Sequence, residues 1–193
     1  LSRADLSIPE KQACAAIGQS FLMHTYEKAF EKKEIKVAQI LLSHDDLGNR
    51  RRYLNAKHTI EALLERGVIP IINENDSVTI EEIKIGDNDT LSATVACLVD
   101  AQLLVILSDV EGLYNRDPSI KTKGEKAELI SHVARVNEEI ERTAGKSNNR
   151  LTVGGMFTKV LAAKKTMSFG IPTLVVNGLD EKVLESIFSG KDV

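Results

Sequence analysis

The sequence predicts an α/β fold: a largely parallel sheet with helices on both faces. Two patterns carry that prediction. Short continuous apolar runs at 68–72 and 103–107 have the look of strands covered on both sides. Helix-length segments with start and stop residues alternate with such runs, and strands separated by helices of that length need crossover connections.

The elements follow in order. Ser7 stands where it can cap a helix over residues 9–32, with Pro9 in the first turn, where its missing N–H is harmless. Residues 35–42 read as a strand, and 49–66 as a second helix closed by Gly67. The apolar run at 68–72 follows, then a mixed polar and apolar stretch at 79–85 that reads as an exposed hairpin arm. A helix is expected at 90–99 with Asp89 as its N-cap, then a buried strand at 103–107, a weaker strand at 128–133 and a short helix at 137–144. The helix at 156–169 ends at Gly170 and is followed by a strand at 172–176 and a last helix at 180–188. Nothing repeats and no linker divides the chain, so one domain is expected over residues 1–193.

Composition narrows the function. Acids outnumber bases 28 to 25, giving a net charge of −3, and a nucleic-acid grip needs a concentrated basic surface instead. No apolar run reaches the roughly 18 residues of a membrane span, and no basic-then-apolar signal opens the chain. These features predict a cytoplasmic protein with neither nucleic acid nor membrane as partner. Cys14 and Cys97 read as reduced core thiols, and the histidines show no metal-ligand spacing.

In parallel sheets ligands bind beyond the carboxyl ends of the strands, and polar clusters stand there. The run at 68–72 leads into Asn73, Glu74, Asn75 and Asp76. These side chains favour turns, since Asn and Asp bond their own backbone. A second cluster holds Asp87, Asn88 and Asp89, readable as a glycine turn plus a helix cap. Both clusters are acidic and amide-rich without Lys or Arg, which suits a ligand carrying an ammonium group. The run at 103–107 ends in Ser108 and Asp109, where a nucleotide would lie. Val153, Gly154, Gly155, Met156, Phe157, Thr158 and Lys159 open a helix whose free N–H groups form an anion site. Lys159 in the first turn opposes the helix dipole by about 0.3–1 kcal/mol unless an anion binds there. No Walker or protein-kinase signature is present. Arg50, Arg51 and Arg52 read as a solvated helix face or an oligomer contact.

The runs IPIINEND at 69–76, GDNDTLS at 86–92, LSDVEGLY at 107–114 and GGMFTK at 154–159 resemble the amino acid kinase family, as does KQACAAIGQ at 11–19. The pair of acid-amide runs is similar to members acting on the glutamate γ-carboxylate. The resemblance covers nearly the whole chain in the same order. It implies a three-layer α/β/α sandwich with a mainly parallel sheet, ATP and Mg²⁺ as cofactors, and conversion of glutamate to γ-glutamyl phosphate, the first step of proline synthesis. It places Asp76, Asn88 and Asn73 on the amino acid, and Ser108, Asp109 and residues 153–159 on ATP. Lys159 would stabilise the transferring phosphoryl group and Asp89 would orient the catalytic lysines. Mg²⁺ would be held through ATP rather than by protein side chains. The resemblance also implies a homo-oligomer, feedback inhibition by proline, and the downstream γ-glutamyl phosphate reductase as a partner.

Two departures accompany it. Thr152 and Val153 stand where the family has Thr or Gly-Thr before the glycines. The family's opening strand and lysine-bearing glycine loop are not among these residues, nor is the C-terminal PUA domain found in some members, so the sequence is expected to be part of a longer polypeptide. Two rivals remain: a family member acting on aspartate, N-acetylglutamate, UMP or isopentenyl phosphate, and a non-catalytic amino-acid sensor. The acid-amide clusters fit phosphate-bearing substrates poorly.

Overall fold

The computed structural model describes residues 6–78, 88–116, 127–146 and 155–191. The elements are α1 (Ile8–Glu31), β1 (Lys36–Leu42), α2 (His44–Gly48), α3 (Arg50–Leu64), β2 (Val68–Glu74), α4 (Asn88–Leu98), β3 (Leu104–Ser108), α5 (Glu138–Glu141), a π turn (Arg142–Lys146), α6 (Met156–Met167), β4 (Thr173–Asn177) and α7 (Val183–Phe188). The chain forms two compact units, Leu1–Leu91 and Ser92–Val193, with α4 running across the division.

The α/β class and the parallel pairing are as the sequence predicts. In the first unit β1 and β2 pair in parallel, from Lys36 opposite Val68 to Leu42 opposite Glu74. In the second, β3 and β4 pair in parallel, from Leu104 opposite Thr173 to Ser108 opposite Asn177.

One local device builds these pairs. Each of the four strands among the described residues follows directly on a helix: β1 on α1, β2 on α3, β3 on α4 and β4 on α6. Each turn contains a single left-handed residue, namely Glu34 (φ 57°), Gly67 (φ 67°), Asp100 (φ 51°) and Gly170 (φ 74°). In three of them an amide beyond the turn reaches back five residues: Ile35 N–H to the Phe30 carbonyl at 3.2 Å, Ala101 to Ala96 at 2.9 Å, and Ile171 to Thr166 at 3.0 Å. This caps the helix carbonyls and reverses the chain. The strand then runs back along the helix that precedes it.

Packing in the second unit shows the reversal directly. Ala93, early in α4, clusters with Ile106 late in β3, while Ala96 and Cys97 pack with Leu104 at its start, a residue that touches both clusters. Ala162 of α6 joins Ile106 and Val175, and Thr166, one turn later, meets Thr173 at the start of β4. Alanines at 93 and 162 let both helices lie close to the strands. The start of α6 therefore lies at the carboxyl edge of β3 and β4.

Helix starts follow the capping rules. The Ser7 N–H and hydroxyl both donate to the Glu10 carboxylate, at 2.8 and 2.6 Å, and these bonds hold Glu10 below its ordinary pKa. Asn49 caps α3 by accepting from Arg51 and Arg52 N–H at 3.0 and 3.2 Å. The short α2, not expected from the sequence, is capped by Ser43, which also donates to Asp46 at 2.6 Å.

Several expectations need correction. The whole of β2 is half-buried rather than covered on both faces. Residues 128–133 form no strand. A single antiparallel bridge joins Tyr114 to Leu129, and the Glu128 N–H bonds to the Asn115 side chain at 3.0 Å instead of extending a ladder. The short helix expected at 137–144 is α5 continued by a π turn in which Gly145 takes φ 108°. Cys14 is exposed rather than a core thiol, whereas Cys97 is buried. The arm at 79–85 lies outside the described residues. No helix among those described is long and apolar enough to cross a membrane.

The left-handed turns give a stability test. A side chain at φ 74° is strained, so Gly170→Ala is expected to destabilise the protein by about 1 kcal/mol. Glu34→Gly, relieving a strained residue at φ 57°, is expected to stabilise it by up to about 1 kcal/mol. Urea denaturation followed by circular dichroism measures both, and the two shifts should have opposite signs.

Candidate active site

In the first unit β2 extends two residues further than expected, so Asn73 is a strand residue and not part of a turn. Its side chain is fixed from both ends. The Asn73 Nδ2 donates to Gln19 Oε1 at 3.0 Å and its Oδ1 accepts from the Glu74 N–H at 2.9 Å. Gln19 Nε2 donates in turn to Gln39 Oε1 at 3.0 Å. A line of amides thus runs from β1 through α1 to the end of β2. Each amide has a defined donor and acceptor end, so the line sets which way Asn73 faces.

The turn begins only at Asn75, whose N–H donates to the Leu42 carbonyl at 2.9 Å and whose Oδ1 accepts from the Ser77 hydroxyl at 2.6 Å. That turn leaves Asp76 exposed just beyond the strand. Asn88 and Asp89 lie in the first turn of α4. Asp89 is therefore inside the helix rather than its N-cap. A carboxylate there is favoured by the positive end of the helix dipole. Asp87 lies outside the described residues.

In the second unit the carboxyl ends of β3 and β4 are knitted together. Ser108 stands opposite Asn177, its carbonyl accepts from the Gly178 N–H at 2.8 Å, and its hydroxyl donates to Asp109 at 3.3 Å. Asn177 Nδ2 donates to Glu111 at 3.0 Å, while its Oδ1 accepts from the Leu179 N–H at 2.9 Å. A Cβ at Gly178 would fall 2.9 Å from the Leu107 Cβ, so only glycine lets the chain leave β4 this closely.

At the same edge Gly155 caps α6. Its carbonyl accepts from the Thr158 N–H at 3.1 Å and from the Thr158 hydroxyl at 2.6 Å. The opening amides of α6, at Met156 and Phe157, have no acceptor within the helix, which is what an anion-binding helix start requires. Lys159 is only 8% exposed and lies on the face that carries Ala162 and Thr166. Val153 and Gly154 lie outside the described residues.

Three consecutive side chains hold the far half of α6. Lys164 Nζ donates to Glu141 at 2.6 Å, Lys165 Nζ to Thr94 at 2.6 Å, and Thr166 shares a 2.6 Å bond with Thr173. Burial pushes the Cys97 thiol up, outweighing the opposing charge of Lys165, which suits a packing role.

The structure thus places Ser108, Asp109 and the start of α6 at one edge of the second unit. It sets Asn73 and Asp76 at the end of β2, and Asn88 with Asp89 at the start of α4. Sequence reasoning missed Gln19 as the partner of Asn73. It also missed Asn177 and Gly178, although an Asn-Gly pair directly after an apolar strand was a legible signal.

The fold, with helix starts and strand ends sharing an edge, is that of an α/β protein. The chain belongs to the amino acid kinase family, whose model matches residues 2–177. It is 54% identical over 187 residues to a glutamate 5-kinase of Geobacter sulfurreducens, covering 97% of this chain and 49% of that protein. It is 52% identical to the glutamate 5-kinase of Carboxydothermus hydrogenoformans, with the same coverage. It is 51% identical to that of Clostridium tetani over 193 residues, covering 71% of that protein. The chain spans about half the length of the first two of these curated relatives.

The buried Thr166 hydroxyl is expected to matter to stability. Thr166→Val removes the partner of Thr173 inside the protein and should cost about 1–2 kcal/mol. Adding Thr173→Val should recover part of that loss, since neither hydroxyl is then left buried alone. Thermal melts of the two single variants and the double variant test the coupling.

Proposed function

We propose that the protein transfers the γ-phosphoryl group of ATP to the side-chain carboxylate of glutamate, forming γ-glutamyl phosphate and ADP. The observation that carries this reading is identity of 51–54% with proteins named glutamate 5-kinase across nearly the whole chain. The geometry adds its own support.

A glutamate side chain, with a pKa of about 4.3, is already ionised at neutral pH. It needs no general base, so Asp89 has no proton to take. The barrier is electrostatic: an anion approaches a polyanion. Catalysis then rests on alignment and neutralisation. The start of α6 meets that need, with its opening amides for phosphate oxygens and Lys159 for the charge on the group in flight. Ser108 and Asp109 would take the nucleotide. Mg²⁺ would arrive with the ATP phosphates and offset their charge. Asp76, Asn88 and Asn73 would hold the amino acid, the carboxylate on the ammonium and the amides on the polar ends. Asp89 would orient lysine side chains electrostatically.

Proline shares the ammonium and α-carboxylate of glutamate but has no second carboxylate to phosphorylate. A site that reads the shared groups would hold either molecule, so proline would compete with glutamate by overlap.

The reaction is checked by trapping the acyl phosphate with hydroxylamine, using the full-length protein, ATP, Mg²⁺ and a panel of amino acids. Glutamate should give hydroxamate; a signal with aspartate or N-acetylglutamate alone would replace the reading. Lys159→Ala is expected to lower kcat about 100-fold or more, equivalent to about 3 kcal/mol, with little change in the KM for glutamate. An unchanged kcat removes Lys159 from the chemistry.

The amino-acid half has a separate test. Asp76→Ala, Asn88→Ala and Gln19→Leu should each raise the KM for glutamate, the last by releasing Asn73, while calorimetric affinity for a non-hydrolysable ATP analogue stays near wild type. Loss of nucleotide affinity with glutamate KM unchanged would reverse the assignment of the two halves.

A further inference from the structure

We infer that Glu141 is a positioning residue: through its ion pair with Lys164 it fixes helix α6 and so the placement of Lys159 and the amides at the helix start. The inference rests on the phosphoryl-transfer reading of that site.

Glu141 ends a four-residue helix and its side chain is 5% exposed, whereas the Lys164 side chain is 54% exposed. A carboxylate so buried is costly to keep charged without a close cationic partner, and Lys164 Nζ supplies one at 2.6 Å. The two residues are 23 apart in sequence, so the pair joins separate segments rather than neighbours on one helix. The contact is therefore tertiary, and α6 packs against both α5 and the π turn that follows it.

Its geometry explains why this contact matters beyond stability. Successive residues of a helix point about 100° apart. Lys164, Lys165 and Thr166 therefore leave α6 in three well-separated directions, toward Glu141, Thr94 and Thr173. Together they fix the rotation of α6 about its axis and stop it sliding. Thr94 belongs to α4 and Thr173 to β4, so Glu141 is the member that holds the α5 side. Lys159 lies five residues back along the same rigid rod, about 7.5 Å along the axis. Freed on one side, α6 would rock about its other two contacts, and the displacement would reach Lys159. A shift of about 1 Å in a positioning group can reduce rate by about 100-fold.

The test separates positioning from plain stability by comparing Glu141→Gln, which keeps the shape and removes the charge, with Gly170→Ala, which strains the other end of α6. Assays run in the full-length protein well below the melting temperature of either variant. Glu141→Gln is expected to lower kcat ten- to one-hundred-fold with the KM for glutamate within about twofold of wild type. Gly170→Ala should leave kcat unchanged, and Lys164→Arg, which retains the charge, should keep most of the activity. If Glu141→Gln does not fold, Lys164→Gln read against Lys164→Arg gives the same comparison, since Lys164 is half exposed. An unchanged kcat in the charge-removing variant overturns the inference, as does an equal fall in Gly170→Ala. Absence of acyl phosphate with the wild-type protein would instead overturn the functional reading, and this inference with it.

Discussion

The structure depends on a reversal: a helix must end and turn straight back into a strand. At Glu34, Gly67, Asp100 and Gly170 one left-handed residue accomplishes this. L-residues avoid that region by roughly 1–2 kcal/mol, so the turn is a local strain accepted for a global result. The result is direction. Because each strand runs back along its helix, the start of the helix and the end of the strand come to the same edge. In the second unit this brings the anion-attracting start of α6 to the polar ends of β3 and β4. Without the reversals, Ser108 and Gly155 would be only distant points in a sequence.

Under the proposed function the two units would carry different parts of the site. The first presents Asn73 and Asp76 at the end of β2, groups that accept from an ammonium or read a neutral polar end. The second presents helix amides and Lys159, groups that would attract anions, together with the carboxylates of Asp109 and Glu111 at the ends of β3 and β4. A zwitterionic amino acid and a nucleotide polyphosphate need opposite surroundings.

Much of this was legible in the sequence, for physical reasons that can be named. Gly67 and Gly170 were read as helix stops because glycine is the residue most at ease in the left-handed region, and both take it. The turns at Glu34 and Asp100 gave no such signal, since neither carries the glycine that marks Gly67 and Gly170. The α/β class and the amino acid kinase family followed from alternating patterns and from the runs at 69–76 and 107–114. The strand expected at 128–133 failed because β-propensity reports a surface that could pair, while pairing needs a neighbour in register; here one bridge is all that Tyr114 and Leu129 make. The site was legible as residue types at strand ends. Its wiring was not: Gln19 meets Asn73 across 54 residues and Lys164 meets Glu141 across 23, distances over which sequence periodicity carries no information.

Under the proposed function, that wiring bears on how Lys159 would serve as the phosphoryl-stabilising group. Lys159 points along a buried face, with 8% exposure, and an ammonium in such surroundings acts through a less screened field than one in water. A strong field is useful only if its source does not move, since a charge that must reorganise gives back in reorganisation what it gains in attraction. A surface lysine on a flexible stem would be weak on both counts. Here the stem is enclosed, its helix starts on a glycine cap tied to Thr158, and the far half of that helix is anchored on three sides. The reversals bring the helix start to the strand ends, and the anchors keep it there. Fixed placement of one positive charge and a few amides is what the transfer of a phosphoryl group to an already ionised carboxylate most requires of a protein.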